Sequence, residues 1–204
     1  AVELTDKTMG IDLGVKDLAI VAYGNLKLRY GNINKTKRIK SLERRKTRLQ
    51  RDISRKYRTN GNWEKTKNIE KLEAQFRKVC ERIANIRQNY LHQTTHELTS
   101  LLPKEVIMEN LNVSGMMKNR HLSKAIGEQN FAEFIRQMQY KCEWLGIKFT
   151  QVDRFYPSSK KCSCCGEIKK DLKLSDRTYI CPNCGAVIDR DYNGPLNLRR
   201  YSVA

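Results

Sequence analysis

Between residues 8 and 29 apolar and polar side chains alternate, with a break at Gly24-Asn25. A period of two is what a half-buried strand requires, so the pattern predicts antiparallel strands over 9–13, 17–22 and 26–29. From residue 35 the period changes. Ile39, Leu42, Leu49 and Ile53 recur at helical spacing through 35–58. After a turn at 59–62, a longer stripe runs through Ile69, Leu72, Phe76, Val79, Ile83, Ile86 and Tyr90. Its spacings alternate between three and four, the seam of a coiled coil, so the two segments read as an antiparallel helical hairpin. A short buried strand over 104–108 then ends in an acid, Glu109. An amphipathic helix is expected over 122–145, with Ala125, Ile126, Phe131, Phe134, Ile135, Met138 and Trp144 on its apolar stripe. Gly146 stops it, and 147–152 reads as another strand. Residues 191–201 suit a short helix, in which Gly194-Pro195 fit only within the first turn because proline has no N–H to donate.

Charge changes this picture of an ordinary α/β chain. The 204 residues are 39% hydrophobic and 30% charged, as in a globular protein of one domain with an insertion or two small domains, but the formal net charge is +18. A polyanionic partner relieves such self-repulsion, and with no apolar anchor beside the charge, nucleic acid fits better than a membrane. No run of about 18 apolar residues offers a membrane span, and the first ten residues lack the apolar core of a signal peptide. The chain begins at Ala1 and enters a strand at once, so a piece of a longer protein is expected, with the cytoplasm, at the nucleoid of a prokaryote, as its compartment. Much of the charge is local. Lys35, Lys37, Arg38, Lys40, Arg44, Arg45, Lys46, Arg48, Arg51, Arg55, Lys56 and Arg58 face only Glu43 and Asp52 in that window. The hairpin is either an arm with a solvated basic face or a surface that contacts phosphates.

Four of the seven cysteines form two Cys-x-x-Cys-Gly units, Cys162/Cys165 before Gly166 and Cys181/Cys184 before Gly185. A spacing of two lets a tight knuckle turn both thiolates onto one ion, and the glycine supplies the positive φ the turn needs. Four thiolates close a tetrahedral shell with no open position, so the expected cofactor here is a structural Zn²⁺. Cys164 breaks the spacing and is spare, while Cys80 and Cys142 fall in helices as ordinary buried thiols. His92 and His96 are four apart but lack a third ligand at a suitable offset, and read as a helix-surface pair.

Three acids stand where chemistry would want them. Asp12 is in the first strand, Glu109 ends the fourth, and Asp191 opens the last helix. Strands disfavour carboxylates, and the neighbours here are apolar. Converging carboxylates can hold Mg²⁺ or Mn²⁺, and two such ions suit phosphodiester cleavage. From spacing alone the alternative stays open that these are three unrelated acids at element ends.

The segments GIDLGVKDLAIV, VIMENLNVSGMMKN and CSCCG…CPNCG…IDRDYNGPLNL together resemble the C-terminal half of the TnpB (OrfB-type) proteins of transposons, relatives of the type V CRISPR effector nucleases. The resemblance runs over nearly the whole chain. It implies an α/β fold, a RuvC-type, RNase H-like mixed sheet with an inserted helical hairpin and an inserted four-cysteine zinc ribbon. It also implies that Asp12, Glu109 and Asp191 are the catalytic, magnesium-binding triad, and that DNA and a guide RNA are the partners. The implied divisions are 1–34 (first nuclease strands), 35–101 (basic hairpin), 102–155 (central nuclease), 156–188 (zinc ribbon) and 189–204 (last acid and C-terminal helix). Two departures stand out. The family usually has Asn-Ala-Ala-x-Asn after the last acid, where this chain has Asn193-Gly194-Pro195-Leu196-Asn197; Asp189, two residues before Asp191, is the alternative third acid, with Asp191 favoured by the motif alignment. Nothing before Asp12 corresponds to the family's guide-binding N-terminal region, so the chain is expected to be the nuclease half.

The leading expectation is therefore a metal-dependent DNA endonuclease module, guided by RNA in the longer protein. Arg190, Lys160 and Lys161 are candidate backbone contacts. Phe155 and Tyr156 either stack a base or, more simply, pack in the core. The competing readings are a non-catalytic nucleic-acid-binding protein with degenerate acids, and a transposase acting by strand transfer. A serine or cysteine hydrolase lacks both a nucleophile elbow and a paired histidine.

Overall fold

The alternation between residues 8 and 29 becomes an antiparallel meander of β1 (Thr8–Leu13), β2 (Asp17–Tyr23) and β3 (Leu26–Gly31). The hairpin follows as α1 (Lys37–Thr59) and α2 (Lys67–Thr99), then β4 (Glu105–Glu109), α3 (Val113–Met117), α4 (Ser123–Gln129), α5 (Phe131–Leu145) and β5 (Lys148–Val152). The cysteine-rich segment contributes β6 (Thr178–Ile180) and β7 (Val187–Asp189), and α6 (Arg190–Arg199) closes the chain. This computed structural model describes residues 3–60, 65–173 and 176–201; Gly61 and Asn62 of the expected turn lie outside them.

The chain falls into two compact units, one of Ala1–Asn32 and Thr94–Ala204, the other of Ile33–Gln93. In the first, a five-stranded sheet has the order β3-β2-β1-β4-β5, with β4 and β5 parallel to β1 and the meander antiparallel. The strands at its centre are buried on both faces, so β2 runs Leu18 to Tyr23 without an exposed residue. Along β1 the pleat sends Gly10 and Asp12 to one face and Met9, Ile11 and Leu13 to the other. Helix α6 lies on the Gly10 face so closely that a Cβ on Gly10 would stand 2.1 Å from the Pro195 carbonyl oxygen and 2.7 Å from the Arg199 nitrogen. Leu198 of α6 joins Ile107 of β4 and Val152 of β5 in a buried cluster on that same face.

The second unit is the hairpin. Ile39 and Leu49 of α1 pack with Val79 and Ile83 of α2, flanked by Leu42, Leu72, Phe76 and Ile86. The Thr36 hydroxyl caps α1 by accepting from the Ile39 N–H at 3.4 Å. Of the twelve basic residues, all but Lys46 and Lys56 are exposed. Among the described residues no helix is long and apolar enough to cross a membrane.

Three local expectations are corrected. The helix expected over 122–145 is broken at Asn130, which takes the left-handed conformation (φ 54°, ψ 48°). Asparagine tolerates that region, and the break resets the buried face of α5 to Phe131, Phe134, Gln137, Met138 and Cys142. Trp144, six residues beyond Met138 and so about 120° around the helix, is 77% exposed instead of on the stripe. Gly194 and Pro195 lie mid-helix, because Asp189 caps α6 from before Arg190 and starts it early. Proline there leaves the Asp191 carbonyl without its usual donor four residues on, and packing on the sheet compensates. Cys80 is half-buried, whereas Cys142 is buried and its thiol is pushed up to about 12 by desolvation.

The contact of α6 with β1 is backbone against backbone, so neither side can move a rotamer aside. Gly10→Ala is expected to destabilise the chain by about 2–4 kcal/mol, as a lowered denaturation midpoint; an unchanged midpoint contradicts this packing.

Candidate active site and metal centre

The pleat, the strand register and the helical period together determine where the three acids go. Parallel pairing of β1 with β4 runs from Thr8↔Glu105 to Ile11↔Met108, so the next step sets Asp12 beside Glu109. Adjacent strands are about 4.8 Å apart, and both side chains leave the sheet on the α6 face. In α6, residues 191, 194, 195 and 198 share one helical face. Pro195 and Leu198 of that face meet β1 and β4, and a Cβ on Gly194 would lie 3.2 Å from Asp12 Oδ2. Asp191 therefore comes in over the same strand ends, one turn earlier.

The electrostatics follow from this crowding. Burial, then the charges of Glu109 and Asp191, hold the Asp12 carboxyl well above its ordinary range, against the opposing pull of Arg190 and the Leu13 N–H. Burial also raises Glu109, opposed by a hydrogen bond that the Ser158 hydroxyl donates to Glu109 Oε1. Asp191 is paired with two cations, with Arg29 Nη1 at 3.5 Å and Lys16 Nζ at 3.7 Å from Oδ2. Arg29 also binds Asp17 at 2.8 Å and lies over the Tyr192 ring, 5.3 Å from its centroid. Asp189 is exposed and accepts the Asp191 N–H at 2.9 Å. The three carboxylates are neighbours but spread; among the described residues, the four cysteines are the group of metal-ligating side chains whose donor atoms all lie within 4.8 Å of one another.

The two knuckles repeat one backbone design. Gly166 donates to the Cys162 carbonyl at 2.9 Å and Gly185 to that of Cys181 at 3.1 Å, with φ of 85° and 68°. Each first cysteine donates its N–H five residues on, Cys162 to Glu167 at 2.7 Å and Cys181 to Ala186 at 2.9 Å. The β6–β7 hairpin carries the second knuckle, and a bridge between Lys161 and Ile168 closes the first. Sγ atoms lie 3.8 Å apart for Cys162 and Cys184, and 3.5 Å for Cys165 and Cys181. A tetrahedral shell with metal–sulfur bonds of about 2.3 Å has edges of about 3.8 Å, so the cluster has the dimensions of a four-thiolate metal site. Cys164 is exposed and outside it.

A family model described as "Probable transposase" matches residues 1–120, more than half of the chain. The chain belongs to the TnpB/OrfB family of transposon-associated RNA-guided endonucleases, relatives of the Cas12f effectors. A second model, "Cas12f1-like, TNB domain", matches residues 131–198. A "Putative RNA-guided DNA endonuclease" of Streptomyces pristinaespiralis is 32% identical over 203 residues, covering 98% of this chain and 46% of the relative. InsQ of Escherichia coli, with the same description, is 30% identical, covering 93% and 48%. Two solved structures share the fold. A Cas12f1–sgRNA–target DNA complex has a TM-score of 0.64 at 19% identity, covering 97% of this chain and 51% of that one. A CRISPR–Cas12f ternary complex has a TM-score of 0.66 at 21% identity, covering 98% and 40%. The chain thus has an RNase H-like mixed sheet with a four-cysteine ribbon, and spans about half the length of the curated relatives it matches.

The structure also gives a role to two residues that stood above only within the motif after the last acid. Asn193 and Asn197, four apart on α6 and buried, fasten the base of the ribbon. Asn193 Nδ2 donates to the carbonyls of Ser159 (3.2 Å) and Lys161 (2.6 Å), and its Oδ1 accepts the Ser163 N–H at 3.1 Å. Asn197 Nδ2 donates to Ser158 and Lys161 carbonyls at 2.7 and 2.6 Å. Two asparagines at i, i+4 on the apolar side of a helix were the available signal. Tyr156 packs edge-on against Tyr201 and donates to the Asn197 carbonyl at 3.3 Å, as core packing predicts. Phe155 does not pack; it is 84% exposed. Lys161 lies 5.6 Å over the Tyr156 ring, Lys160 is exposed, and Arg190 donates to the Asp176 carbonyl at 3.3 Å. His92 and His96 are exposed on α2.

Raised carboxyls hold protons in the folded chain that the unfolded chain has already released, so stability falls as pH climbs from the ordinary carboxylate range through the raised values. Without divalent cations, Asp12→Asn is expected to raise the melting temperature by several degrees at neutral pH, the gain vanishing below about pH 3.5. A variant that melts lower at neutral pH contradicts the strain.

Proposed function

We propose that this chain is the nuclease portion of an RNA-guided DNA endonuclease, with Asp12, Glu109 and Asp191 as catalytic ligands of Mg²⁺ or Mn²⁺ and the four cysteines as ligands of a structural Zn²⁺. The observation that supports it most is the arrival of three carboxylates from β1, β4 and α6 over one set of strand ends, in a chain of this family. The donor sets fit the ions. Carboxylate oxygens suit hard dications, and the burial that lifts Asp12 and Glu109, with the like charge that adds to it at Asp12, is offset by positive charge. Four thiolates at tetrahedral spacing suit zinc. When bound, paired divalent ions activate water and stabilise the leaving oxygen of a phosphodiester.

The remaining work falls to the chain's own residues. The Asp12 and Glu109 carboxylates are held on adjacent strands, so their spacing is that of the sheet and not of a loop. Lys16 and Arg29 restrain Asp191. The exposed basic side chains of α1 grip phosphates without reading sequence, and guide pairing supplies the specificity. In this reading 1–34, 102–155 and 189–204 form the nuclease, 35–101 the basic hairpin and 156–188 the ribbon, acting on DNA in the cytoplasm.

Incubating the chain with labelled single-stranded DNA tests the chemistry. Cleavage is expected only with Mg²⁺ or Mn²⁺, and Asp12→Ala should lose at least about a hundredfold of it while still binding DNA. Binding with no metal-dependent cleavage, in this chain and in the full-length protein with its guide RNA, would favour a non-catalytic binding protein. Elemental analysis after purification should find about one zinc per chain, with occupancy and melting temperature both lowered in Cys181→Ser. Full occupancy in that variant would remove Cys181 from the ligand set.

A further inference from the structure

Ser158 belongs to neither the acids nor the cysteines, yet it bonds one of the acids and is tied through Asn197 to the segment that leads into the first knuckle. It follows β5 and precedes the first knuckle by four residues. It is 3% exposed, and its hydroxyl donates to Glu109 Oε1. Its backbone is fixed on both sides, the N–H donating to the Tyr156 carbonyl at 2.8 Å and the carbonyl accepting from Asn197 Nδ2 at 2.7 Å. Asn197 is itself 3% exposed, and its amide also donates to the Lys161 carbonyl, immediately before Cys162. The hydroxyl is therefore presented by a segment clamped between the last helix and the ribbon.

Glu109 is the acid that needs such a partner. It has one more rotatable bond than Asp12 or Asp191, so a strand end alone leaves its carboxylate free to swing. A donor fixed on one oxygen removes that freedom and leaves Oε2 as the ligand atom. A hydrogen bond of this kind also favours the charged form that a cation requires.

We propose that Ser158 is a positioning residue for divalent-cation binding, holding Glu109 through Oε1 so that the ribbon's base sets the geometry of the acidic site. This rests on the assignment of Glu109 as a metal ligand made above. It predicts a dependence of cation affinity on a residue that contacts no cation.

Titrating Mn²⁺ into the zinc-loaded 204-residue chain, with the free ion followed by electron paramagnetic resonance, tests it. Ser158→Ala is expected to bind about ten- to a hundredfold more weakly, with zinc content unchanged, and Ser158→Thr, which keeps the hydroxyl, to recover most of the affinity. In a Glu109→Gln background Ser158→Ala should cost nothing further. Should Ser158→Ala lose its cooperative melt, Ser158→Cys, nearly isosteric but a weak donor, carries the same comparison. Unchanged Mn²⁺ affinity in Ser158→Ala, alongside loss in Glu109→Gln, overturns the positioning role alone. The same loss with Glu109 present or replaced also overturns it. Mn²⁺ binding that is absent from the wild type, or indifferent to Glu109→Gln, overturns the ligand assignment and this role with it.

Discussion

The backbone contact between α6 and β1 is the constraint on which the rest of the first unit depends. Gly10 has no side chain, and the Pro195 carbonyl and the Arg199 nitrogen occupy the space where one would be. Only at that approach does Gly194 come up against Asp12 and Leu198 reach Ile107 and Val152. The helix that carries Asp191 is thereby set against the strands that carry Asp12 and Glu109. A looser helix would lose both that apolar cluster and the arrangement of the acids.

That arrangement works against stability. Burial and like charge both oppose ionisation of Asp12. The surrounding structure compensates with polar ties. Arg29 binds Asp17 and Asp191, Ser158 binds Glu109, and Asn193 and Asn197 satisfy backbone groups of the ribbon's entry that would otherwise be buried without partners. The acidic site and the ribbon are therefore one hydrogen-bonded construction. The ribbon's own apolar core is small, essentially Tyr179 beside Cys162 and Cys181 with Leu172, Ala186 and Ile188 around them. A core of that size needs a metal-sized staple, which four thiolates at these distances can hold.

Much of this was legible in the residues. Period two along 8–29 gave the meander, the three-four spacing from Ile69 to Tyr90 gave the hairpin seam, and the Cys-x-x-Cys-Gly pairs gave the knuckles with their positive-φ glycines. Each is a local rule in which neighbours in sequence are neighbours in space. The errors came where that condition failed. Asn130 breaks a continuous apolar stripe because one left-handed residue costs asparagine little, and the pattern on either side stays helical. Pro195 stands mid-helix because packing on the sheet outweighs the lost hydrogen bond.

By itself the sequence determined the meander, the helical hairpin, the basic face of α1 and the cysteine cluster, since period, charge and knuckle spacing act over a few residues. Only the tertiary structure decided that β4 pairs parallel with β1 one step short of Asp12 and Glu109, and that α6 lies on their face. It also decided that Ser158 reaches Glu109 across 49 positions of chain. Contacts of that range depend on strand order and on where Gly10 lets the helix backbone meet the strand and Gly194 leaves room for the Asp12 side chain, and neither leaves a periodic trace in one sequence.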